Sequence, residues 1–371
     1  MQYRLVAPCL FGLEKPVSDE LKKMGAEEVV SENGRVLFSG DEHMIARANI
    51  GSRYAERIRI LVGEFEARSF TELFDEVKNL PWENYVGKDD AFPVKGWSIN
   101  STLHSVPDCQ AIIKKAIVKR LGGTYHVEWF KETGAQIQVA FSILKDKVSV
   151  MIDTSGEGLH KRGYRRNANE APLKETLAAA MVYFARIYPD SNFYDPMCGS
   201  GTILIEAAMM ARNIAPGLRR SFAAEKFGFI TPSVWTDERM RAIDAIDNTV
   251  PFRAYGSDID PEAVRLTVDN AKKAGVDGCI DVKVADVADF APATERAVIV
   301  TNPPYGERLM DVKSAEKLYE VMGKVFVKKH GYKYTVISSD DGFERFFGRT
   351  ADKRRKLYNG SLRCQLYMYF R

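Results

Sequence analysis

Two consecutive prolines close an apolar run at residues 297–304, and they fix what that run can become. Ala297-Val298-Ile299-Val300-Thr301 reads as a strand buried on both faces, the kind that fills parallel sheets. Pro303 and Pro304 cannot donate to a ladder, and each forces the residue before it into extended backbone. The strand is therefore expected to stop at Thr301, with the Asn302 side-chain oxygen and the neighbouring carbonyls facing a cavity. Such an array accepts hydrogen bonds and contains no titratable base. It suits an exocyclic amine, whose hydrogens need acceptors while its nitrogen attacks an electrophile. A Pro-Pro loop that merely ends a strand is the plain alternative, and the choice depends on what lies upstream.

About a hundred residues earlier, Asn192-Phe193-Tyr194-Asp195-Pro196-Met197-Cys198-Gly199-Ser200-Gly201-Thr202 runs from a short aromatic strand through a glycine turn into the apolar Ile203-Leu204-Ile205-Glu206-Ala207-Ala208. Gly199 and Gly201 let the backbone approach a ligand closely, at the carboxyl end of a strand where open α/β sheets bind cofactors. A dinucleotide fold would want glycine at position 204, which is leucine, and a P-loop would want a lysine that is absent. Two further strand ends carry carboxylates. Tyr255-Gly256-Ser257-Asp258-Ile259-Asp260-Pro261 places Asp258 where an acidic side chain accepts ribose hydroxyls. Asp260 is the reserve for that role and equally a helix cap. Ile280 to Val287 reads as a third strand ending at Asp286.

Asp195-Pro196-x-Cys198-Gly199-Ser200-Gly201-Thr202 and Asn302-Pro303-Pro304-Tyr305 resemble the first and fourth motifs of class I S-adenosylmethionine-dependent methyltransferases that modify amino groups of nucleic-acid bases. The resemblance implies cofactor contacts from Asp195, Pro196, Cys198, Gly199, Ser200, Gly201, Thr202, Asp258, Ile259, Asp286 and Asn302. The glycines would pack on the methionine moiety, and Asp286 would meet the adenine amine. Asn302 and the Pro303 and Pro304 backbone would orient the target amine, and Tyr305 would stack on a base taken out of its helix.

The first 150 residues follow a different pattern, α+β without glycine turns. Residues 3–8, 35–39, 57–62, 96–101, 136–144 and 147–154 read as strands. Residues 11–24, 41–50 and 70–79 read as helices, and so does a capped amphipathic stretch from Ser105 to Leu121 carrying Lys114, Lys115, Lys119 and Arg120. Ser101, Ser105, Asp108, Gln110 and that helix resemble the THUMP RNA-binding domain, which in its family follows a ferredoxin-like segment. A net charge of only +3 means that any RNA is held by local basic clusters. Five scattered cysteines suggest neither a metal site nor disulfides, and no run is long enough to cross a bilayer. No metal, membrane or obligatory protein partner is called for, and a cytoplasmic location follows by default.

Between the halves, Gly158-Leu159-His160-Lys161-Arg162-Gly163-Tyr164-Arg165 mixes basic and aromatic residues in a way that suits phosphate contact and base stacking. Lys114, Lys115, Lys161, Arg162, Tyr164 and Arg165 are therefore the expected RNA contacts. A helix is expected over residues 169–187, with Pro172 in its first turn. This junction, with Gly306-Glu307-Arg308-Leu309 after the Asn-Pro-Pro-Tyr, resembles bacterial THUMP-containing RNA guanine-N2 methyltransferases, often labelled N6-adenine-specific DNA methylases. The expected architecture is a ferredoxin-like segment over 1–60, a THUMP domain over 61–155, and a Rossmann-like α/β methyltransferase sheet of seven strands over 156–371. Strands at 335–338 and 362–370 would flank the basic cluster 353–356. The long stretch 214–250 reads as a cover over the site.

The expected activity is methylation of guanine N2 in structured RNA, ribosomal RNA first and transfer RNA second, with S-adenosylmethionine as cofactor. The alternatives are an adenine-N6 methyltransferase on DNA or RNA, and an RNA-binding assembly factor with a vestigial cofactor fold. His160 is discounted as a general base, because the amine loses its proton readily after methyl transfer.

Overall fold

Hydrophobic periodicity of two in the first half and long apolar runs in the second build two different sheets. The computed structural model describes residues 1–165, 173–188, 190–304, 311–360 and 362–370. The chain divides into two compact units, one of residues 1–8, 18–159 and 221–240, the other of 9–17, 160–220 and 241–371.

The first unit holds strands β1 (Tyr3–Pro8), β2 (Glu27–Glu32), β3 (Arg35–Gly40), β4 (Arg59–Glu66), β5 (Val94–Ile99), β6 (Val139–Leu144) and β7 (Lys147–Asp153). They form one sheet in the order β2-β3-β1-β4-β7-β6-β5. Every pairing is antiparallel except β5 with β6. The boundary expected at residue 60 falls inside β4. That strand pairs with β1 through Leu5–Ile60 and Val6–Arg59, and with β7 from Arg59–Asp153 to Glu66–Lys147. A single sheet thus runs through both expected N-terminal segments.

Strand β2 was not legible in the sequence. It lies at the sheet edge with exposed Glu27, Glu28 and Val30, so no alternation of burial marks it. The basic helix is Val106–Tyr125 and runs four residues beyond the expected end at Leu121. It starts at Ser105 without a side-chain cap and with proline in its first turn. It continues past two glycines to Tyr125, whose hydroxyl donates to the Val86 carbonyl at 2.7 Å.

Residues 221–240 fold with this first unit, which corrects their reading as a cover. The Ala224 N–H donates to the Thr154 carbonyl at 3.1 Å, and Phe222 stacks on Trp235 at 5.3 Å. Glu238, 4 % exposed, receives Arg47 Nη2 at 2.7 Å and Nε at 2.9 Å. A buried carboxylate needs such a bidentate partner to offset its lost hydration.

The second unit holds β8 (Asn192–Asp195), β9 (Arg253–Asp258), β10 (Ile280–Val284), β11 (Ala297–Thr301), β12 (Tyr332–Ser338), β13 (Lys353–Asn359) and β14 (Leu362–Tyr369). Their order is β10-β9-β8-β11-β12-β14-β13, parallel from β10 to β12, with β14 antiparallel to both its neighbours. The basic run expected to lie between two strands is itself the edge strand β13, where exposed charge discourages further pairing.

Helices Glu175–Ala185 and Thr202–Ala211 are buried along nearly their whole length. Of the helix expected over 169–187, residues 169–172 lie outside the described residues. Aromatic side chains of the helices Val312–Val325 and Phe343–Phe347 pack with those of β12 and β14, among them Phe343 against Tyr367 at 4.7 Å. Strand order reverses between β8 and β11, and the carboxyl ends there form the crevice where such sheets hold ligands. Among the described residues no helix is long and apolar enough to cross a membrane, and no group of His, Cys, Asp and Glu could hold a metal ion.

Candidate functional site

A cavity of about 620 Å³ opens at that crevice. Its floor is the end of β8. Asp195 there is 1 % exposed and accepts from Thr301 Oγ1 at 2.8 Å and from the Met197 N–H at 3.3 Å. Burial pushes the Asp195 carboxyl up to about 7 against the pull of these bonds, and the nearby charge of Asp258 adds to the rise.

The chain then turns through Pro196, Met197, Cys198, Gly199 and Ser200, all bordering the cavity. Gly199 has φ +52°, and a Cβ on it would meet nothing within 4 Å, so the turn leaves open space on that side. Gly201, at φ +78°, serves packing instead. A Cβ there would come within 2.6 Å of Thr267 Cγ2. The helix Pro261–Ala274 grips the turn from behind, with Thr267 Oγ1 donating to the Gly199 carbonyl at 2.8 Å and Asn270 Nδ2 to the Ser200 carbonyl at 3.0 Å. Cys198 Sγ lies 3.7 Å from Thr267 Oγ1, and burial raises its thiol well above the ordinary range.

Asp258 ends β9 and joins the same turn. One of its oxygens accepts the Gly199 N–H at 2.8 Å and the other the Asp260 N–H at 3.1 Å. Asp260 caps the next helix by accepting the Glu262 N–H at 2.9 Å. Ile259 between them borders the cavity and is 69 % exposed. Asp286 borders it too and caps the short turn Val287–Asp289 through the Ala288 N–H at 2.8 Å.

Strand β11 stops at Thr301, where the two prolines require it to stop. Asn302, Pro303 and Pro304 then border the cavity. The Asn302 Oδ1 atom is buried there and has no hydrogen-bond partner among the described residues. Tyr305 and the extension 306–309 lie outside the described residues. The remaining wall was missed in the sequence. Ser314, Lys317, Leu318 and Val321 face the cavity from the helix Val312–Val325. Their i, i+3, i+4, i+7 spacing was the available signal. Leu173, Asn359 and Leu362 complete the wall.

The expected RNA contacts fare differently. Arg162 is 3 % exposed with Nε 3.4 Å from Glu206 Oε1, and the buried Tyr164 hydroxyl donates to that oxygen at 3.1 Å. The Arg165 side chain, 8 % exposed, pairs with Glu175 at 3.1 Å. Arg162 and Tyr164 are thus interior groups rather than the exposed contacts expected, and the Arg165 guanidinium is taken up in an ion pair. The cause is Glu206, a fully buried carboxylate in the middle of an apolar helix, which must be compensated by cations. Lys114 is ion-paired with Glu132 and sits 3.4 Å over the Phe92 ring. Lys115 and Lys161 are exposed.

Three families of known domains match the chain: an RlmL ferredoxin-like domain over residues 4–59, a THUMP domain over 67–153, and an RMKL-like methyltransferase domain over 162–368. YpsC of Bacillus subtilis is 43 % identical over 372 residues, covering 100 % of this chain and 96 % of that protein. The ribosomal RNA large subunit methyltransferase K/L of Psychromonas ingrahamii is 34 % identical over 371 residues, covering 98 % of this chain and 49 % of that protein. The chain thus spans about half the length of the K/L protein. The crystal structure of SMU.472 complexed with SAH matches with a TM-score of 0.94 and 42 % identity, covering 100 % of this chain and 98 % of that one. With a seven-stranded methyltransferase sheet and these relatives along its whole length, the chain belongs to the RMKL-like methyltransferase family.

Proposed function

We propose that the protein transfers the methyl group of S-adenosylmethionine to the exocyclic N2 amine of guanine in structured RNA, ribosomal RNA before transfer RNA. The observation that carries this reading is the buried Asn302 Oδ1, without a hydrogen-bond partner among the described residues, in a cavity that also holds the Gly199 turn and the carboxylates of Asp195, Asp258 and Asp286. A buried acceptor without a partner costs stability, and an amine of the substrate would supply the missing donor.

The donor set fits the cofactor. Asp258 would accept the ribose hydroxyls, Asp286 the adenine amine, and the open side of Gly199 would receive the methionine moiety. When bound, the cofactor supplies an electrophilic methyl group. Asn302 Oδ1 and the Pro303 carbonyl would hold the two amine hydrogens so that the nitrogen lone pair points in line with that methyl, and most of the acceleration would come from this alignment. No base is required, because the methylated amine releases its proton to water. SMU.472, complexed with SAH, supports the cofactor. The THUMP domain and the K/L relative support RNA as substrate.

Capture of RNA would fall to residues 1–155 together with exposed Lys115 and Lys161. Adenine N6 offers the same pair of hydrogens to Asn302, so the choice of guanine rests on the surrounding RNA modules rather than on the acceptors.

Calorimetry tests the cofactor half of the reading. Asp258→Ala should weaken S-adenosylmethionine binding by about 1.5–3 kcal/mol, since it removes charge-assisted ribose bonds as well as the acceptor that holds the Gly199 N–H. Equal affinity of this variant and the wild type would refute the assignment.

A further inference from the structure

Arg162 is 3 % exposed and the Arg165 side chain 8 %, and neither has a part in the proposed reaction. The two ion pairs behave differently. Arg162 and Tyr164 meet Glu206, one turn into the helix Thr202–Ala211 and away from the cavity lining. Arg165 reaches the lining itself. Its Nη1 donates to Thr202 Oγ1 and to the Leu173 carbonyl, each at 3.1 Å, and Thr202 and Leu173 both border the cavity. Its Nη2 is held by Glu175 Oε2 at 3.1 Å, so the guanidinium is fixed between two helices.

The helix Thr202–Ala211 has no side-chain cap, because Gly201 occupies the cap position, and no acidic residue lies in its first turn. The Thr202 hydroxyl lies 3.3 Å from Ser200 Oγ, which also borders the cavity. The two hydroxyls of the glycine turn are thus oriented from one side by a buried cation.

We propose that Arg165 is a positioning residue for the cofactor turn, acting through Thr202 and held in place by Glu175. The proposal rests on the reading that the cavity binds S-adenosylmethionine. A rigid planar guanidinium suits the role because it can donate to two oxygens while staying paired with a carboxylate. A segment whose composition suggested RNA contact is then part of the cofactor site's support.

The test is a cycle of variants read by calorimetry with S-adenosylmethionine. Arg165→Met combined with Glu175→Met removes both charges together, which avoids leaving either buried alone. Thr202→Val removes the hydroxyl while leaving that pair intact. Each is expected to raise the Kd about tenfold. Thr202→Ser should keep wild-type affinity. Removing the pair in the Thr202→Val background should change the Kd by less than about twofold, because the route through Thr202 is already cut. A folded protein in which Thr202→Val leaves the Kd unchanged overturns the proposal. So does equal weakening by pair removal in both backgrounds. Should the pair variant fail to fold, Thr202→Val against Thr202→Ser still decides. Wild-type protein that binds no S-adenosylmethionine would remove the underlying reading, and this proposal with it. Wild-type binding with unaltered variants removes only this one.

Discussion

Asn302→Ala is expected to lower methyl transfer to RNA by about 10²–10³-fold, the size of effect seen when one preorganised polar group at a reacting centre is removed. The Kd for S-adenosylmethionine should stay within about twofold of wild type, since the proposed cofactor contacts lie mainly on the turns after β8, β9 and β10. Folding should hardly suffer. Asn302 Oδ1 has no partner among the described residues, so its loss breaks no hydrogen bond to them, and relief of an unsatisfied buried acceptor offsets part of the lost packing. The combination of lost turnover, kept affinity and kept melting temperature separates a substrate-aligning role from a structural one. Steady-state transfer with labelled cofactor, calorimetry and thermal melting measure the three. Wild-type turnover in this variant would remove Asn302 from the chemistry.

A chain begun at residue 160 is expected not to fold into a soluble protein. Residues 221–240 belong to the first unit, where Phe222, Ala224, Phe227, Ile230, Val234 and Trp235 are all buried. Without the N-terminal sheet these side chains lose much of their covering, at about 1.5–3 kcal/mol for each large apolar group returned to water. Glu238 loses Arg47 as well, though it also regains hydration. Left uncovered in the fragment, these groups form an exposed apolar surface that favours aggregation. The expected outcome is aggregation, or a chain without a cooperative melting transition. A monomeric 160–371 fragment that melts cooperatively near the full-length temperature would show that residues 221–240 are dispensable to its fold.

The parts legible in the sequence are those fixed by local backbone chemistry. Pro303 and Pro304 end β11 wherever it lies, and the glycine turn and the aspartates at residues 195 and 258 sit at strand ends that can be read one at a time, whereas β10 stops at Val284, two residues short of Asp286. The illegible parts depend on distant partners. Glycine, arginine and tyrosine at 162–165 describe an RNA contact and a buried ion cluster equally well. What separates the two is Glu206, 44 residues beyond Arg162. That carboxylate was itself the clue, as the lone charge in the apolar run Thr202–Ala211. The stretch 221–240 was misread for a similar reason, because its partners Arg47 and Thr154 precede it by dozens of residues. Strands β2 and β13 escaped because their side chains are mostly exposed or half-buried, without the alternation that marks a strand.

The target atom is the central claim, and it is settled by identifying the methylated nucleoside. Purified protein and labelled S-adenosylmethionine are incubated with RNA from a strain lacking the gene, and in parallel with duplex DNA, and the digests are resolved by mass spectrometry. Guanine N2 and adenine N6 present the same hydrogens to Asn302, so only the product distinguishes them. The expected product is N2-methylguanosine from RNA, with no label in DNA. N6-methyladenine as the sole product, in either nucleic acid, would contradict the account.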